Sequence, residues 1–136
     1  MIIAVDFDGT IVEHKYPQIG RELPFATSTL RKLIDEKHMI ILWTVRRGKL
    51  LQEAVDWCKE RGVEFYAVNK NFPEENIDNE GGYCKVNAEL FIDDRNLGGL
   101  PDWGKIYKMI SESKSWRDIY NNSYEEQPKK KKGWLW

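Results

Sequence analysis

The sequence is poor in the residues and segments that mark disulfide-rich, zinc-binding and membrane-spanning proteins. Its 136 residues include only two histidines and two cysteines, Cys58 and Cys84. These cysteines lie far apart and form no CxxC pair, which argues against a disulfide framework and a structural zinc site. No apolar run approaches the roughly 20 residues that a membrane-spanning helix needs. The first residues form a short apolar run without a preceding basic segment, so we expect no signal peptide, a cytoplasmic location and no membrane partner.

The sequence also lacks a large excess of positive or negative charge, because 21 basic and 22 acidic residues leave a net charge of −1. A near-neutral chain is not drawn to nucleic acid by its overall charge, so we do not expect a nucleic-acid partner. The charge is nevertheless uneven, since residues 125–136 contain four consecutive lysines. The chain length suits one domain. We predict a single domain over residues 1–124 and a basic, aromatic tail over 125–136, with Trp134 and Trp136 docked on the protein or on a partner.

The hydrophobic pattern predicts short buried strands that alternate with helices. Four continuous apolar runs are typical of strands covered on both faces: Ile2–Val5, Met39–Trp43, Phe65–Val68 and Leu90–Ile92. Apolar residues at helical spacing lie between and after these runs, over 26–34, 50–58 and 103–110. This order predicts an α/β protein with a three-layer, Rossmann-like fold and a short, mainly parallel sheet.

Acidic residues follow the first and the last predicted strands, at the sheet edge where ligands of such folds bind. Asp6 and Asp8 come directly after the first strand, and their spacing places both carboxylates on one side of an extended backbone. Asp93 and Asp94 end the last strand. Carboxylates that converge at one edge repel one another unless a divalent cation lies between them. Oxygen ligands without histidine or cysteine favour Mg²⁺ over zinc, so we predict a magnesium site.

Candidate phosphate-binding groups occur at the other strand ends. Thr44 ends the second strand, Arg46 follows it, and Lys85 precedes the last strand. Gly9 lets the chain leave the first strand sharply. We predict a phosphate-binding set of Gly9, Thr44, Arg46 and Lys85, although Arg46 could equally be a solvated loop charge. Hydroxyl and ammonium donors beside a magnesium site indicate phosphoryl transfer.

These segments resemble the four motifs of the haloacid dehalogenase (HAD) superfamily, in the same chain order. Asp6–Thr10 is similar to the DxDGT of motif I, and Ile40–Thr44 resembles motif II. Lys85 is similar to the lysine of motif III, and Leu90–Asp94 resembles motif IV. More narrowly, the chain resembles small phosphatases of Bacteroides type that have no inserted cap domain. The resemblance covers about residues 1–110.

The resemblance implies a Mg²⁺-dependent phosphatase that forms an aspartyl-phosphate. Asp6 would be the nucleophile, and Asp8 would first protonate the leaving group and then activate water. The cation would be held by the Asp6 carboxylate, the Asp8 backbone carbonyl and Asp93. Thr44 and Lys85 would hold the oxygens of the transferring phosphoryl group.

Four assignments stay open from the sequence. Asp94 would either assist the metal site or orient Lys85. The motif does not decide whether Asp93 or Asp94 ligates the metal directly, and we favour Asp93. Lys70 competes with Lys85 for the motif III role, and we favour Lys85. His14, in the loop after motif I, is more typical of a surface residue than of a substrate contact.

The expected substrate is a phosphate ester of a small molecule or a phosphorylated macromolecule. Without an inserted cap the site is open, so it would accept large substrates or be closed by another chain of a homo-oligomer. The alternatives on the same core are a phosphomutase, a nucleic-acid end phosphatase and a non-catalytic phosphate-binding module. The presence of both Asp6 and Asp8 favours an enzyme, because Asp8 has little purpose without proton transfer.

Overall fold

Four parallel strands and four helices make up the computed structural model, which describes residues 1–76 and 85–125, with side chains up to residue 122. The elements follow in the order β1 (Ile2–Val5), α1 (Ala26–Asp35), β2 (Met39–Leu42), α2 (Gly48–Glu60), β3 (Ala67–Val68), β4 (Leu90–Ile92), α3 (Trp103–Ser111) and α4 (Trp116–Glu125). The strands lie in the sheet order β3-β2-β1-β4, and each neighbouring pair is parallel. This architecture confirms the predicted three-layer, Rossmann-like α/β class.

The two central strands, β1 and β2, are largely buried on both faces, as continuous apolar runs predict. Ile3 and Val5 of β1 belong to a core that includes buried residues of every described helix. Those helical residues are Ala26, Leu30, Leu33, Ala54, Cys58, Trp103, Ile106, Ile110 and Ile119. Ala4 points to the opposite face, because successive side chains of a strand alternate, and there it packs in a second cluster with Val86. The sheet is therefore the middle layer, between the helices and the segment around Val86.

The carboxyl ends of β1, β2 and β4 lie side by side at one edge of the sheet. Beyond the strands, the Asp6 N–H donates to the Ile92 carbonyl at 3.0 Å, and the Trp43 N–H donates to the Val5 carbonyl at 2.9 Å. The chain visits β1, β2 and β3 in one direction across the sheet and then places β4 on the other side of β1. This reversal between β1 and β4 is the topological switch point, where parallel sheets open a crevice for ligands.

Two elements differ from the sequence prediction. β3 contains only Ala67–Val68, although its apolar run begins at Phe65. The periodicity predicted no helix after residue 110, but α4 follows α3. At its start, the Asp118 carboxylate accepts from the Ser115 N–H at 3.0 Å, and the Ser115 Oγ accepts from the Asp118 N–H at 3.4 Å. This Ser-x-x-Asp capping box is a helix-start signal that a search for periodicity overlooks.

The C-terminal tail lies largely outside the described residues. Helix α4 ends at Glu125, the first residue of the predicted tail. The docking of Trp134 and Trp136 falls outside the described part of the chain and stays a prediction. Cys84 also lies outside it, whereas Cys58 is a buried free cysteine, and burial raises the pKa of its thiol to about 12. Among the described helices, none has the length and apolar character that crossing a membrane requires.

Trp103 joins α3 to the loop after β1. Its side chain is 1% exposed, and its Nε1–H donates to the Thr10 carbonyl at 2.9 Å. We expect Trp103→Phe to lower the free energy of unfolding by about 1–3 kcal/mol, because it leaves a buried carbonyl unsatisfied and a small cavity. Urea unfolding measures the change. Trp116→Phe is the control, because Trp116 is 43% exposed, and an equal loss in both variants would contradict the importance of the Trp103 bond.

Candidate functional site

Three carboxylates meet at the switch point between β1 and β4. Asp6 directly follows β1, and Asp93 and Asp94 directly follow β4. Each residue offers one ligand oxygen, these oxygens lie within 4.8 Å of one another, and the three residues are half-buried. The sequence predicted this convergence, because the carboxyl ends of adjacent parallel strands share one edge. The spacing suits a cation held by hard oxygen ligands, such as Mg²⁺.

Thr10 connects two members of this acidic cluster and is fully buried. Its Oγ1 lies 3.2 Å from Asp6 Oδ2 and 3.2 Å from Asp94 Oδ1. The Asp94 N–H donates to the same oxygen at 3.0 Å. One hydroxyl therefore fixes the acids of two neighbouring strands relative to each other. Thr10 was not among the predicted site residues, and its place in the segment that resembles motif I was the available signal for its role.

Gly9 allows Asp94 to approach the loop after β1. Gly9 has a φ of +85°, in the left-handed region that side chains rarely adopt, and a Cβ at this position would collide with Asp94 Oδ2. The Gly9 N–H donates to the Val12 carbonyl at 2.7 Å. Since this donor is used within the loop, it is not free for the predicted phosphate contact. Gly9 instead shapes the acidic cluster.

The Asp6 carboxyl holds its proton more tightly than an ordinary aspartate does. Burial, followed by the negative charge of Asp93, raises the pKa of Asp6 from 3.8 to about 7. A hydrogen bond with Asp94 adds to the increase, whereas hydrogen bonds from the Phe7 N–H and the Thr10 hydroxyl oppose it. A bound divalent cation would favour the ionised carboxylate. A bound cation should therefore stabilise the acidic cluster most near and above neutral pH.

The raised pKa of Asp6 predicts a pH-dependent stability of the metal-free protein. The unfolded chain releases the Asp6 proton near its ordinary pKa of 3.8, but the folded protein keeps it up to about pH 7. Between these values the folded state binds more protons, so the free energy of unfolding falls as the pH rises. We expect Tm to fall over this interval in EDTA, and we expect Mg²⁺ to raise Tm mainly at and above neutral pH. Asp6→Asn should weaken both effects.

Thermal unfolding from about pH 4 to about pH 8, in EDTA or in Mg²⁺, measures these changes. Asp35→Asn is the matched control, because it removes an exposed carboxyl group from α1 and should leave both trends unaltered. The assignment to Asp6 would be wrong if wild-type protein and Asp6→Asn lost stability with rising pH to the same extent.

Thr44 lies just beyond β2 with its hydroxyl proton available for a ligand. Asn69 Oδ1 accepts from the Thr44 N–H at 2.8 Å, and the Asn69 N–H donates to the Leu42 carbonyl at 2.8 Å. The Thr44 Oγ1 accepts from the Arg46 N–H at 3.1 Å, so its own proton can be donated to a phosphate oxygen. The sequence did not predict this use of Asn69, because only the paired ends of β2 and β3 bring it to Thr44. The one available signal was an asparagine directly after a strand.

Arg46 is fully buried, which differs from both roles considered for it from the sequence. Its Nε donates to Asp8 Oδ2 and its Nη2 donates to Asp8 Oδ1, both at 2.7 Å. Its other N–H groups donate to the backbone carbonyls of Pro17, Gln18 and Leu50. A buried side chain whose donors are all used inside the protein contacts neither solvent nor a phosphate. The predicted phosphate contact of Arg46 is therefore replaced by a buried ion pair with Asp8.

The two candidate lysines lie at different places on the sheet. Lys85 is exposed, and its Nζ lies 4.9 Å from the centre of the Phe91 ring. Phe91 and Asp93 are two residues apart on extended backbone, so Lys85 lies on the sheet face that leads to Asp93. Lys70 is half-buried beyond β3, where its charge acts on Glu75. This arrangement is compatible with Lys85 as the motif III residue, and its choice over Lys70 stays a prediction.

A pocket of about 320 Å³ opens beside the acids. Its lining residues come from the loops that follow the carboxyl ends of β1, β2 and β4. They are Asp6, Asp8, His14, Tyr16, Val45, Asp93 and Arg95. Tyr16 is 47% exposed and Val45 is 84% exposed, so the mouth has an aromatic and an aliphatic surface. His14 and Arg95 are also exposed and bring polar groups to the same mouth. The volume is at the lower end of the range of small-molecule sites.

The fold and this site define an α/β protein with an acidic, cation-compatible pocket at the switch point of a parallel sheet. A solved structure of a conserved protein coded by a locus of Bacteroides thetaiotaomicron shares 62% sequence identity with this chain and a TM-score of 0.78. The match covers 88% of this chain and 97% of that protein. The chain therefore belongs to the same family as this Bacteroides protein. No protein-family model matches the sequence, and the comparison with curated proteins finds no match.

Proposed function

We propose that this protein is a Mg²⁺-dependent phosphohydrolase of the HAD type, which transfers a phosphoryl group to Asp6 and then hydrolyses the aspartyl-phosphate. The observation that carries the proposal is the meeting of Asp6, Asp93 and Asp94 at the switch point, with Thr44 just beyond the neighbouring strand β2. A nucleophile, a cation site and a phosphate-binding hydroxyl are parts that phosphoryl transfer needs. The ordered motifs of the sequence support the same assignment.

Asp6 and Asp93 would hold the cation, together with the Asp8 backbone carbonyl. Asp93 suits a direct ligand because its carboxylate lines the pocket. Asp94 contacts Thr10 and supports Asp6 through that hydroxyl. When bound, Mg²⁺ would screen the negative charges of Asp6 and the phosphate from each other.

The first step of the proposed reaction forms the aspartyl-phosphate. A carboxylate oxygen of Asp6 attacks the phosphorus atom, and the bond from phosphorus to the ester oxygen breaks. Asp8 gives its proton to the departing oxygen, which leaves as an alcohol. Thr44 donates to one phosphoryl oxygen, and Lys85 supplies a positive charge to the others.

The second step returns the enzyme to its starting state. Asp8, now a carboxylate, takes a proton from water, and the water oxygen attacks the phosphorus of the aspartyl-phosphate. The bond from phosphorus to Asp6 breaks, so inorganic phosphate leaves and Asp6 is again a carboxylate. Asp8, the carboxylate partner of Arg46, must take up a proton before the first step. Each of its oxygens has a second lone pair beyond the one that Arg46 uses, so the ion pair leaves a position for that proton.

The proposed substrate is a phosphate ester, and the pocket favours one of a small molecule. A phosphate bound at Asp6 would direct its alcohol group towards Tyr16 and Val45, which line the same pocket. A phosphorylated macromolecule is the alternative, because the mouth is built from exposed loops that a second chain of a homo-oligomer would close. We also infer a cytoplasmic location, which suits the free thiol of Cys58.

Hydrolysis of 4-nitrophenyl phosphate tests the proposed function. We expect release of 4-nitrophenol in Mg²⁺, loss of activity in excess EDTA, and recovery when Mg²⁺ is restored. A panel of phosphorylated metabolites then ranks small substrates, and oligonucleotides with terminal phosphates test the nucleic-acid alternative. Wild-type protein that binds Mg²⁺ but hydrolyses no member of these sets would contradict the enzyme and favour a phosphate-binding module.

A further inference from the structure

Arg46 forms a buried junction between Asp8 and the loop of residues 13–22. The side chain is 0% exposed, although it carries a full positive charge. Its Nε and Nη2 donate to the two oxygens of Asp8, at 2.7 Å each. Two parallel charge-assisted bonds fix the plane of a carboxylate as well as its position, which a single bond does not. Asp8 is therefore held in one orientation at the pocket wall.

The remaining donors of Arg46 bind backbone carbonyls. Nη1 donates to the Pro17 carbonyl at 3.1 Å and to the Leu50 carbonyl at 3.4 Å. Nη2 donates to the Gln18 carbonyl at 3.0 Å. The five N–H groups of the guanidinium are thus all used. Because Leu50 belongs to α2 and the other two residues to the 13–22 loop, one side chain joins that loop, a helix and Asp8.

Aromatic rings complete the surroundings of this ion pair. The Arg46 Cζ lies 5.2 Å from the centre of the Phe7 ring and 5.2 Å from the centre of the Tyr16 ring. Phe7 is fully buried, whereas Tyr16 is partly exposed and lines the pocket. A lysine would supply the same charge but not the planar fork that matches a carboxylate and stacks on rings. The site is therefore built for arginine in particular.

We propose that Arg46 is a positioning residue that directs the Asp8 carboxyl towards the leaving group and couples this orientation to the 13–22 loop. The inference rests on the proposed function, in which Asp8 protonates the departing oxygen. The loop carries Tyr16, so the substrate's alcohol group and the proton donor are held by one connected set of contacts. Since Arg46 acts through Asp8, its contribution should grow with the need of the leaving group for a proton.

Leaving-group dependence tests this inference. 4-Nitrophenolate departs with little help, whereas a simple alkoxide needs a proton, so kcat/KM is compared for an aryl and an alkyl phosphate. We expect Arg46→Lys to lose about 10-fold on the aryl ester and about 10²- to 10³-fold on the alkyl ester. Arg47→Met is the matched control, because Arg47 is exposed and should be replaceable without loss on either ester. A purely structural role of Arg46 would lower both values equally.

Asp8→Asn supplies the second part of the test. If Arg46 acts through Asp8, adding Arg46→Lys to the Asp8→Asn variant should lower kcat/KM by less than about a further threefold. Equal losses on the two esters, or a full further loss in the double variant, would overturn the inference alone. Wild-type protein that hydrolyses neither ester in Mg²⁺ would overturn the proposed function as well. If circular dichroism shows Arg46→Lys to be unfolded, Arg46→Gln, which keeps an amide donor for Asp8, is judged by the same two comparisons.

Discussion

Asp6→Asn should reduce kcat for 4-nitrophenyl phosphate by at least about 10³-fold, because an amide is a far weaker nucleophile than a carboxylate. The substitution also removes one of three acids whose oxygens lie within 4.8 Å of one another. The fold should persist, since the backbone N–H of Asp6 still bonds the Ile92 carbonyl. Loss of a half-buried charge beside Asp93 relieves repulsion, so the variant should unfold no earlier than wild type in EDTA above neutral pH.

Mass spectrometry after an acid quench shows where the phosphoryl group is held. During turnover, the peptide that contains Asp6 should gain one phosphoryl group in wild-type protein and none in Asp6→Asn. Asp35→Asn, which removes an exposed carboxyl group from α1, should keep the wild-type rate. Full activity of a folded Asp6→Asn variant would refute the nucleophile assignment, and a phosphoryl group on another residue would move the role to that residue.

The meeting of the acids could be predicted because each acid directly follows a strand. Continuous apolar runs indicated parallel strands buried on both faces, and the ends of such strands share one edge. This rule placed Asp6, Asp8, Asp93 and Asp94 at one edge. In the structure β1 and β4 are neighbours, which brings Asp6 to Asp93 and Asp94, whereas Asp8 pairs with Arg46 instead. A glycine soon after a strand indicates a sharp turn, and the sequence predicted this turn at Gly9. In the structure the turn also lets Asp94 approach Gly9 closely.

The partners of Arg46 and Thr10 could not be predicted in this way. Arg46 binds Asp8, 38 positions away in sequence, and its other acceptors are carbonyls that carry no sequence signature. An arginine after a strand is usually solvated, so its sequence context gave no reason to expect burial. Thr10 gains its role from Asp94, 84 positions later. Such contacts depend on which loop covers which charge, and residue spacing does not contain that information.

Asp93→Asn should lower kcat/KM by about 10³-fold at constant Mg²⁺, because a metal ligand supports several kcal/mol of charge stabilisation. The Asp93 carboxylate lines the pocket, and the bond from the Arg95 N–H to its Oδ1, at 2.9 Å, orients it there. Asp94 lies against Gly9 and contacts Thr10, so it orients the cluster from behind. We expect Asp94→Asn to cost only about 10- to 100-fold, as is typical of residues that orient a ligand.

The Mg²⁺ concentration at half-maximal activity separates the two aspartates. It should rise at least about tenfold in Asp93→Asn and less in Asp94→Asn, with Asp35→Asn as the exposed control. Asparagine has nearly the shape of aspartate, so Asp94→Asn keeps the packing against Gly9 and Thr10, and in both variants the loss reports the missing charge. A larger Mg²⁺ requirement in Asp94→Asn than in Asp93→Asn would make Asp94 the direct ligand, because removing a ligand's charge costs more cation affinity than removing that of a residue that orients a ligand.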